Sequence, residues 1–429
     1  MGTKHDISRR NFLKTAAALS VFPGTGLSFQ QIDATQVNNY GDVLAITADG
    51  HNDPYPVLEN KTGLKIQKIE TFHKNSTLGF VKITADNGSV GWGQVSTYDA
   101  DISINVLHRK ITEHFLGEDP SDLGILVDRA IEANYKYPWS YVCRALSGVD
   151  TAVWDLLGKH EGKSVCELLG GRPRPFPVYG SSMSRSITPE DESERLKKLY
   201  EKKGYPAFKV RVGSVNGHNK DAWPGRTENI IPSVRKALGD DVKLLVDANS
   251  CYAPTKAIEV GRMLQEYHFT QFEEPCPYWE LEWTTEVTQE LDMAVSGGEQ
   301  DNELATWRRM INMHAVDIVQ PDILYLGGVT RTLRVAKKAE QHGIPCVPHS
   351  ANRAMVTLFT LHVMGALPNA GDYVEFSIED TPWAENIFAP EFEVIDGKVA
   401  IPSGPGWGVT INDNWLDGAK KRVSTVENT

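Results

Sequence analysis

The sequence predicts an α/β protein, a (β/α)8-type barrel preceded by an α+β capping domain. Three observations carry this. Short apolar runs in the second half each end in a polar residue at a near-constant interval. Alternating apolar and polar segments with a turn signal fill the stretch from Leu64 to Gln94. Between the two lies a joint rich in glycine and proline, Leu169-Gly170-Gly171 followed by Pro173, Pro175 and Pro177.

The chain has 429 residues with 41% hydrophobic and 23% charged, an ordinary globular composition with ample length for a full core. Acidic residues outnumber basic ones by 56 to 44, and no basic block could track a phosphate backbone, so nucleic-acid binding is excluded. Five cysteines without a C-x-x-C pair exclude a disulfide scaffold and a zinc ribbon; they read as small buried hydrophobes.

Residues 1–30 read as an export signal. Ser8-Arg9-Arg10-Asn11-Phe12-Leu13-Lys14 matches the bacterial twin-arginine pattern, and the weakly apolar stretch from Thr15 to Phe22 is too short to span a bilayer. The expectation is a periplasmic protein, delivered folded by the twin-arginine translocase and left without a membrane anchor. Residues 31–61 are polar and read as a linker. The cap is expected over 62–175. Leu64–Phe72 and Leu78–Thr84 read as strands, and Asp86-Asn87-Gly88 turns the chain into a third at Val90–Gln94. Helices follow, the clearest carrying Ala145, Leu146, Val149, Ala152, Val153, Leu156 and Leu157 at helical spacing.

The barrel is expected over 176–400, with 401–429 returning toward the cap. Six strands end in Asp247, Glu273, Glu299, Asp322, His349 and Glu375, at intervals of 26, 26, 23, 27 and 26 residues. That is the length of a strand, a helix and their two loops. Two earlier strands fit at Pro177–Gly180 and Ala207–Val212, which brings the count to eight. The polar residues then lie on the C-terminal face, where barrel active sites form.

Asp247, Glu273 and Glu299 end three consecutive strands. Carboxylates so close repel one another unless a divalent cation binds them, and an all-oxygen set suits Mg²⁺, with Mn²⁺ as a substitute. Glu274, next to Glu273, reads as pointing the other way along the strand, as a residue supporting the ligands from behind or in an ion pair. On the other side, Asp322 would orient His349 as a general base. Lys209 and Arg211, on one face of strand two, would neutralise a bound carboxylate.

Lys209-x-Arg211, Asp247-x-Asn249, Glu273-Glu274-Pro275, Glu299, Asp322 and His349, in this order and spacing, resemble the mandelate racemase subgroup of the enolase superfamily. Sites of this superfamily are known to use a Lys or His base with Mg²⁺. The resemblance implies proton abstraction alpha to a carboxylate, with the metal holding the enediolate. It implies Asn249 and Glu375 as substrate-binding residues, the latter hydrogen-bonded to the substrate carboxylate, and a homo-oligomer. Val95–Ile102 is the expected specificity loop. Racemases of the subgroup carry a second base, a lysine where this chain has Arg211, and a guanidinium is a poor proton acceptor. One base fits dehydration of an aldonic or aldaric sugar acid to a 2-keto-3-deoxy acid. Epimerisation or lactone cycloisomerisation is the alternative, with Lys209 as second base if Arg211 and burial depress its pKa. A third reading is an exported binding protein without turnover.

Overall fold

The computed structural model describes residues 61–137 and 140–428, so the twin-arginine pattern and nearly all of the linker lie outside the described residues. In the cap, β1 (Ile66–His73), β2 (Gly79–Ala85) and β3 (Val90–Gln94) form an antiparallel sheet. Gly88, at φ +87°, makes the turn between β2 and β3, its N–H donating to Ala85 O at 2.9 Å. The α-helices α1 (Ala100–Val106), α2 (Leu123–Ala133) and α3 (Ser140–Glu161) follow, with a further short turn of helix over Val165–Leu168.

The apolar stripe of α3 is buried, and the helix lies directly on β3. Glycine makes that approach possible. A Cβ on Gly91 would stand 2.1 Å from Ala152 O, and one on Gly93 would stand 2.4 Å from Gly148 O.

The barrel strands run in order as β4 (Pro175–Ser181), β5 (Ala207–Arg211), β6 (Lys243–Asp247), β7 (Gln271–Glu273), β8 (Ala294–Gly297), β9 (Ile318–Val319) and β10 (Val374–Ser377). All pair in parallel, and β10 returns to β4. Helices alternate with them: α4 (Pro189–Lys203), α5 (Arg226–Leu238), α6 (Pro254–Glu266), α7 (Leu281–Glu290), α8 (Leu304–Asn312), the short α9 (Ile323–Leu326), α10 (Val329–Gln341) and α11 (Met355–Met364).

The barrel's seventh position, expected as a strand over Ile344–Pro348, carries isolated bridges instead of a ladder. Val319 N donates to Pro345 O at 3.0 Å, Val347 N to Val319 O at 2.9 Å, and Cys346 N to Asn369 O at 2.8 Å. Pro345 and Pro348 have no N–H to give, which breaks the regular pairing without opening the barrel.

The cap is fixed to the barrel by buried polar contacts. Gln94 Oε1 accepts from Met355 N, at the start of α11, at 2.9 Å. Asp150 of α3 accepts from Val329 N, at the start of α10, at 2.6 Å. Asp155 accepts from Trp92 N at 2.7 Å and Trp407 N at 2.8 Å, joining cap sheet, cap helix and the returning chain. That chain ends in β11 (Lys420–Thr425), which adds a fourth strand to the cap sheet beside β1. The consequence for function is that the N-terminal turns of α3 are held at a set position over the barrel mouth.

Candidate active site

The carboxylates of Asp247, Glu273 and Glu299 converge. Each offers an oxygen within 4.8 Å of the others, and all three residues are buried. Asp247 and Glu273 close their strands, whereas Glu299 lies two residues past β8. The chain reaches it through Gly298, at φ +107°, where a Cβ would lie 2.2 Å from the Trp307 ring. Three oxygen donors at this spacing fit a hard divalent cation. The charge balance agrees: Asp247, Glu273, Glu274, Glu299, Asp322 and Glu375 are all buried here, against Lys209 and Arg211 as permanent cations.

Those two cations are committed. Lys209 Nζ lies 2.8 Å from both oxygens of Glu273 and 2.7 Å from Glu375 Oε1. Burial disfavours its charge, but Glu273 and Glu375 outweigh that and raise its pKa. This corrects the expectation that Arg211 and burial would depress it. Arg211 pairs with Asp247, while its Nη1 donates to Asn249 Oδ1 at 2.9 Å and its Nε to Ser182 O at 3.0 Å. Asn249, at φ +43°, turns its amide back on Asp247, with its backbone N donating to Oδ1 at 2.7 Å.

Glu375 accepts from Ser181 Oγ at 2.7 Å and from Ser350 N at 3.0 Å in addition to Lys209. Burial would raise its pKa, but Lys209 and His349 hold it well below the usual carboxylate range. Its two oxygens thus take a lysine ammonium, a hydroxyl and a backbone N–H at once.

His349 and Asp322 meet as paired residues at the ends of neighbouring strand positions. Asp322 divides its oxygens. Oδ1 caps α9, accepting from Leu324 N at 2.7 Å and Tyr325 N at 3.0 Å, and Oδ2 lies 2.7 Å from His349 Nδ1. That contact fixes the ring and directs Nε2 into the site, 3.0 Å from Glu299 Oε2. Burial lowers the pKa of His349, but Glu299, Glu375 and Asp322 prevail and push it up to about 10.

Residues 191–415 match the enolase C-terminal domain-like family, and residues 59–170 match the mandelate racemase / muconate lactonizing enzyme N-terminal domain. The chain belongs to the enolase superfamily. It is 29% identical over 337 residues to an arabinonate dehydratase of Saccharolobus solfataricus, covering 77% of this chain and 87% of that one. A solved structure from Roseobacter denitrificans, provisionally called a racemase, shares 55% identity at a TM-score of 0.83, covering 84% of this chain and all of that one. A mandelate racemase/muconate lactonizing protein from Paracoccus denitrificans PD1222, solved with magnesium, shares 30% identity at a TM-score of 0.78, covering 85% of this chain and all of that one. Other relatives are named sugar-acid dehydratases, which are hydro-lyases, and one from Agrobacterium fabrum is a D-galactarolactone cycloisomerase.

Within this enolase-superfamily frame, a cavity of about 520 Å³ opens above the carboxylates. Arg211, Asn249, Glu299 and His349 line it, but Lys209, Asp247, Glu273, Asp322 and Glu375 lie beneath its surface. Glu274 lines it too, against the expectation that it pointed the other way along the strand. At φ +41° its backbone has left the strand alternation, and its Oε1 is buried with no hydrogen-bond partner among the described residues. Burial and the neighbouring Glu299 and Glu273 raise its pKa well above the usual range.

Sequence reasoning missed Arg144, Arg185, Tyr278, Gln300 and Tyr325 on the cavity wall. Tyr98 does fall inside the loop expected to set specificity. Arg185 is spent on backbone: its guanidinium donates to the carbonyls of Gly213, Val212 and Asp247 at 3.0, 3.3 and 3.4 Å. The Tyr325 ring stands between His349, 6.1 Å away, and the guanidinium of Arg144, 3.7 Å away.

Proposed function

We propose that this protein is a Mg²⁺-dependent sugar-acid dehydratase working with one base. The observation that carries the reading is the asymmetry of the cavity lining. His349, oriented by Asp322, reaches the surface, while Lys209 is sealed beneath it between Glu273 and Glu375 and the facing position is Arg211. A lysine so paired stays protonated, and a guanidinium does not accept protons at ordinary pH. Two-base racemisation therefore lacks its second base.

Asp247, Glu273 and Glu299 would hold the metal, which when bound supplies positive charge to offset that developing on the substrate carboxylate. With Glu299 committed to the metal, the negative charge that raises the His349 pKa would be offset, and Asp322 keeps the proton of the then neutral ring on Nδ1, leaving the lone pair on Nε2. Nε2 takes the C2 proton. The C–H electron pair moves into the carboxylate as an enediolate, then returns to form the C2=C3 bond as the C3–O bond breaks, and the imidazolium gives its proton to the departing hydroxyl, which leaves as water. The enol then tautomerises to the 2-keto-3-deoxy acid. Lys209 and Arg211 hold positive charge beneath the reacting carboxylate throughout.

The test is proton NMR of the Mg²⁺-loaded protein with pooled aldonic, aldaric and uronic acids. New 3-deoxy methylene signals that vanish with EDTA are expected. Loss of the alpha-proton signal without those methylene signals would favour epimerisation or cycloisomerisation, the latter supported by the cycloisomerase relative, and silence across the pool would overturn all three. The Ser8–Lys14 pattern supports export as part of the same proposal, and replacing Arg9 and Arg10 by lysine is expected to keep the protein out of the periplasm.

A further inference from the structure

We infer that the substrate carries a second carboxylate at its far end, received by Arg144 of the cap, so that the sugar acid is an aldarate and not an aldonate. The inference rests on the sugar-acid reading above and narrows it. Arg144, near the start of α3, lines the cavity from the cap side, while the three clustered carboxylates lie at the barrel end. Its Nη1 donates to Ser96 Oγ at 2.5 Å, and its guanidinium stacks on the Tyr325 ring at 3.7 Å. Among the described residues it has no carboxylate partner, and Ser96 occupies one of its five N–H donors.

Other arginines of the chain differ. Arg195 and Arg334 pair with acids, Arg211 pairs with Asp247, and the donors of Arg185 go to three carbonyls. Arg144 is thus a half-buried cation, held in orientation by a hydroxyl and an aromatic face, with its remaining donors free for a ligand. Tyr98 and Tyr278 complete that wall, and Tyr98 packs edge-on to Tyr325 at 6.1 Å. A planar guanidinium fork matches one carboxylate in a bidentate pair. A phosphate dianion would draw on a second cation, and the neighbours of Arg144 on this wall are tyrosines. A molecule with a carboxylate at each end satisfies both poles of the cavity. An aldonate would set a neutral hydroxymethyl group against Arg144.

The experiment compares acids that differ only at the far end, galactarate with galactonate and glucarate with gluconate. Binding is measured by calorimetry on Mg²⁺-loaded His349→Asn, which does not depend on turnover. Kinetics are measured on the catalytically intact chain. The better-bound aldarate is expected to bind about 10- to 100-fold tighter than its aldonate partner, the range for hydrogen bonds to a charged group. Arg144→Met is expected to erase that difference while leaving the aldonate within about threefold, and Arg144→Lys to restore part of it. In kinetics, Arg144→Met should raise KM for the aldarate far more than it lowers kcat.

Equal losses for both acids would mean that Arg144 merely positions Tyr325 and His349, and would overturn the inference. So would a preference for an aldonate or a 6-phosphoaldonate, or no binding of any acid. If the intact enzyme turns over neither acid while the Arg144-dependent binding difference persists, the dehydratase reading fails and the carboxylate subsite stands.

Discussion

At the barrel mouth Lys209, Arg211, Asp322 and His349 each have a partner of opposite charge, whereas on the cap side of the same cavity Arg144 has none among the described residues. The first region is made from strand ends, and its side chains are buried in a lattice of short contacts. The second is made from α3, the cap loop at Tyr98, the loop after β7 at Tyr278 and the short α9, and its Tyr98 and Tyr278 are exposed. The difference separates two tasks. Groups that move a proton or bind a metal have to be held against their own repulsion, and the barrel does this with buried partners. Groups that select a substrate are completed by the substrate itself.

The largest expected effect breaks the chemistry and spares the scaffold. His349→Asn should reduce exchange of the substrate C2 proton by about 10²- to 10⁴-fold while Mg²⁺ affinity changes little, as read by NMR and calorimetry. Exchange at an undiminished rate would make Lys209 the base. Next comes Lys209→Met, which leaves Glu273 and Glu375 buried without their shared cation. The expected cost is about 3–5 kcal/mol of stability, measured by denaturant unfolding of the metal-free protein.

The same ion pair has a pH signature. The folded-state pKa of Glu375 is depressed, so its contribution is present above the ordinary value of 4.5 and is lost as pH falls below it. Glu375→Gln should therefore flatten the acid limb of the stability curve.

Arg211→Lys probes the second-base position. A lysine cannot serve Ser182, Asn249 and Asp247 together. It would stay protonated beside Asp247, so the expectation is a turnover loss of about tenfold or more without any C2 epimer accumulating. On the cap side, Tyr98→Phe keeps the ring of this exposed residue and removes its hydroxyl. Its KM should move by no more than about fivefold, and a loss as large as that of His349→Asn would erase the distinction between the two regions.

The barrel was legible because ionisable residues recur at one period at or near the C-terminal ends of its strands, a pattern set by chain geometry. The strand expected over Ile344–Pro348 was not fully legible, since two prolines remove donors and leave the barrel closed by bridges. The ligand-type carboxylates and the Asp322–His349 pair could be read because strand ends bring them together whatever the side-chain packing.

The state of Lys209 could not. Its visible neighbour in sequence is Arg211, but its pKa is decided by Glu273 and Glu375, brought in from distant strands. Glu274 escaped because strand alternation assumes extended backbone, and φ +41° is not extended. Arg144 gave no local signal at all. It is a polar position at the start of an otherwise buried helix, and only the docking of α3 on β3 and the barrel sends it into the cavity.

The most direct test of the one-base account is turnover in D₂O with Mg²⁺, following product and recovered substrate by NMR. The account predicts a 2-keto-3-deoxy acid carrying solvent deuterium at C3, with unreacted substrate keeping its C2 configuration. Accumulation of the C2 epimer in place of that product would contradict it.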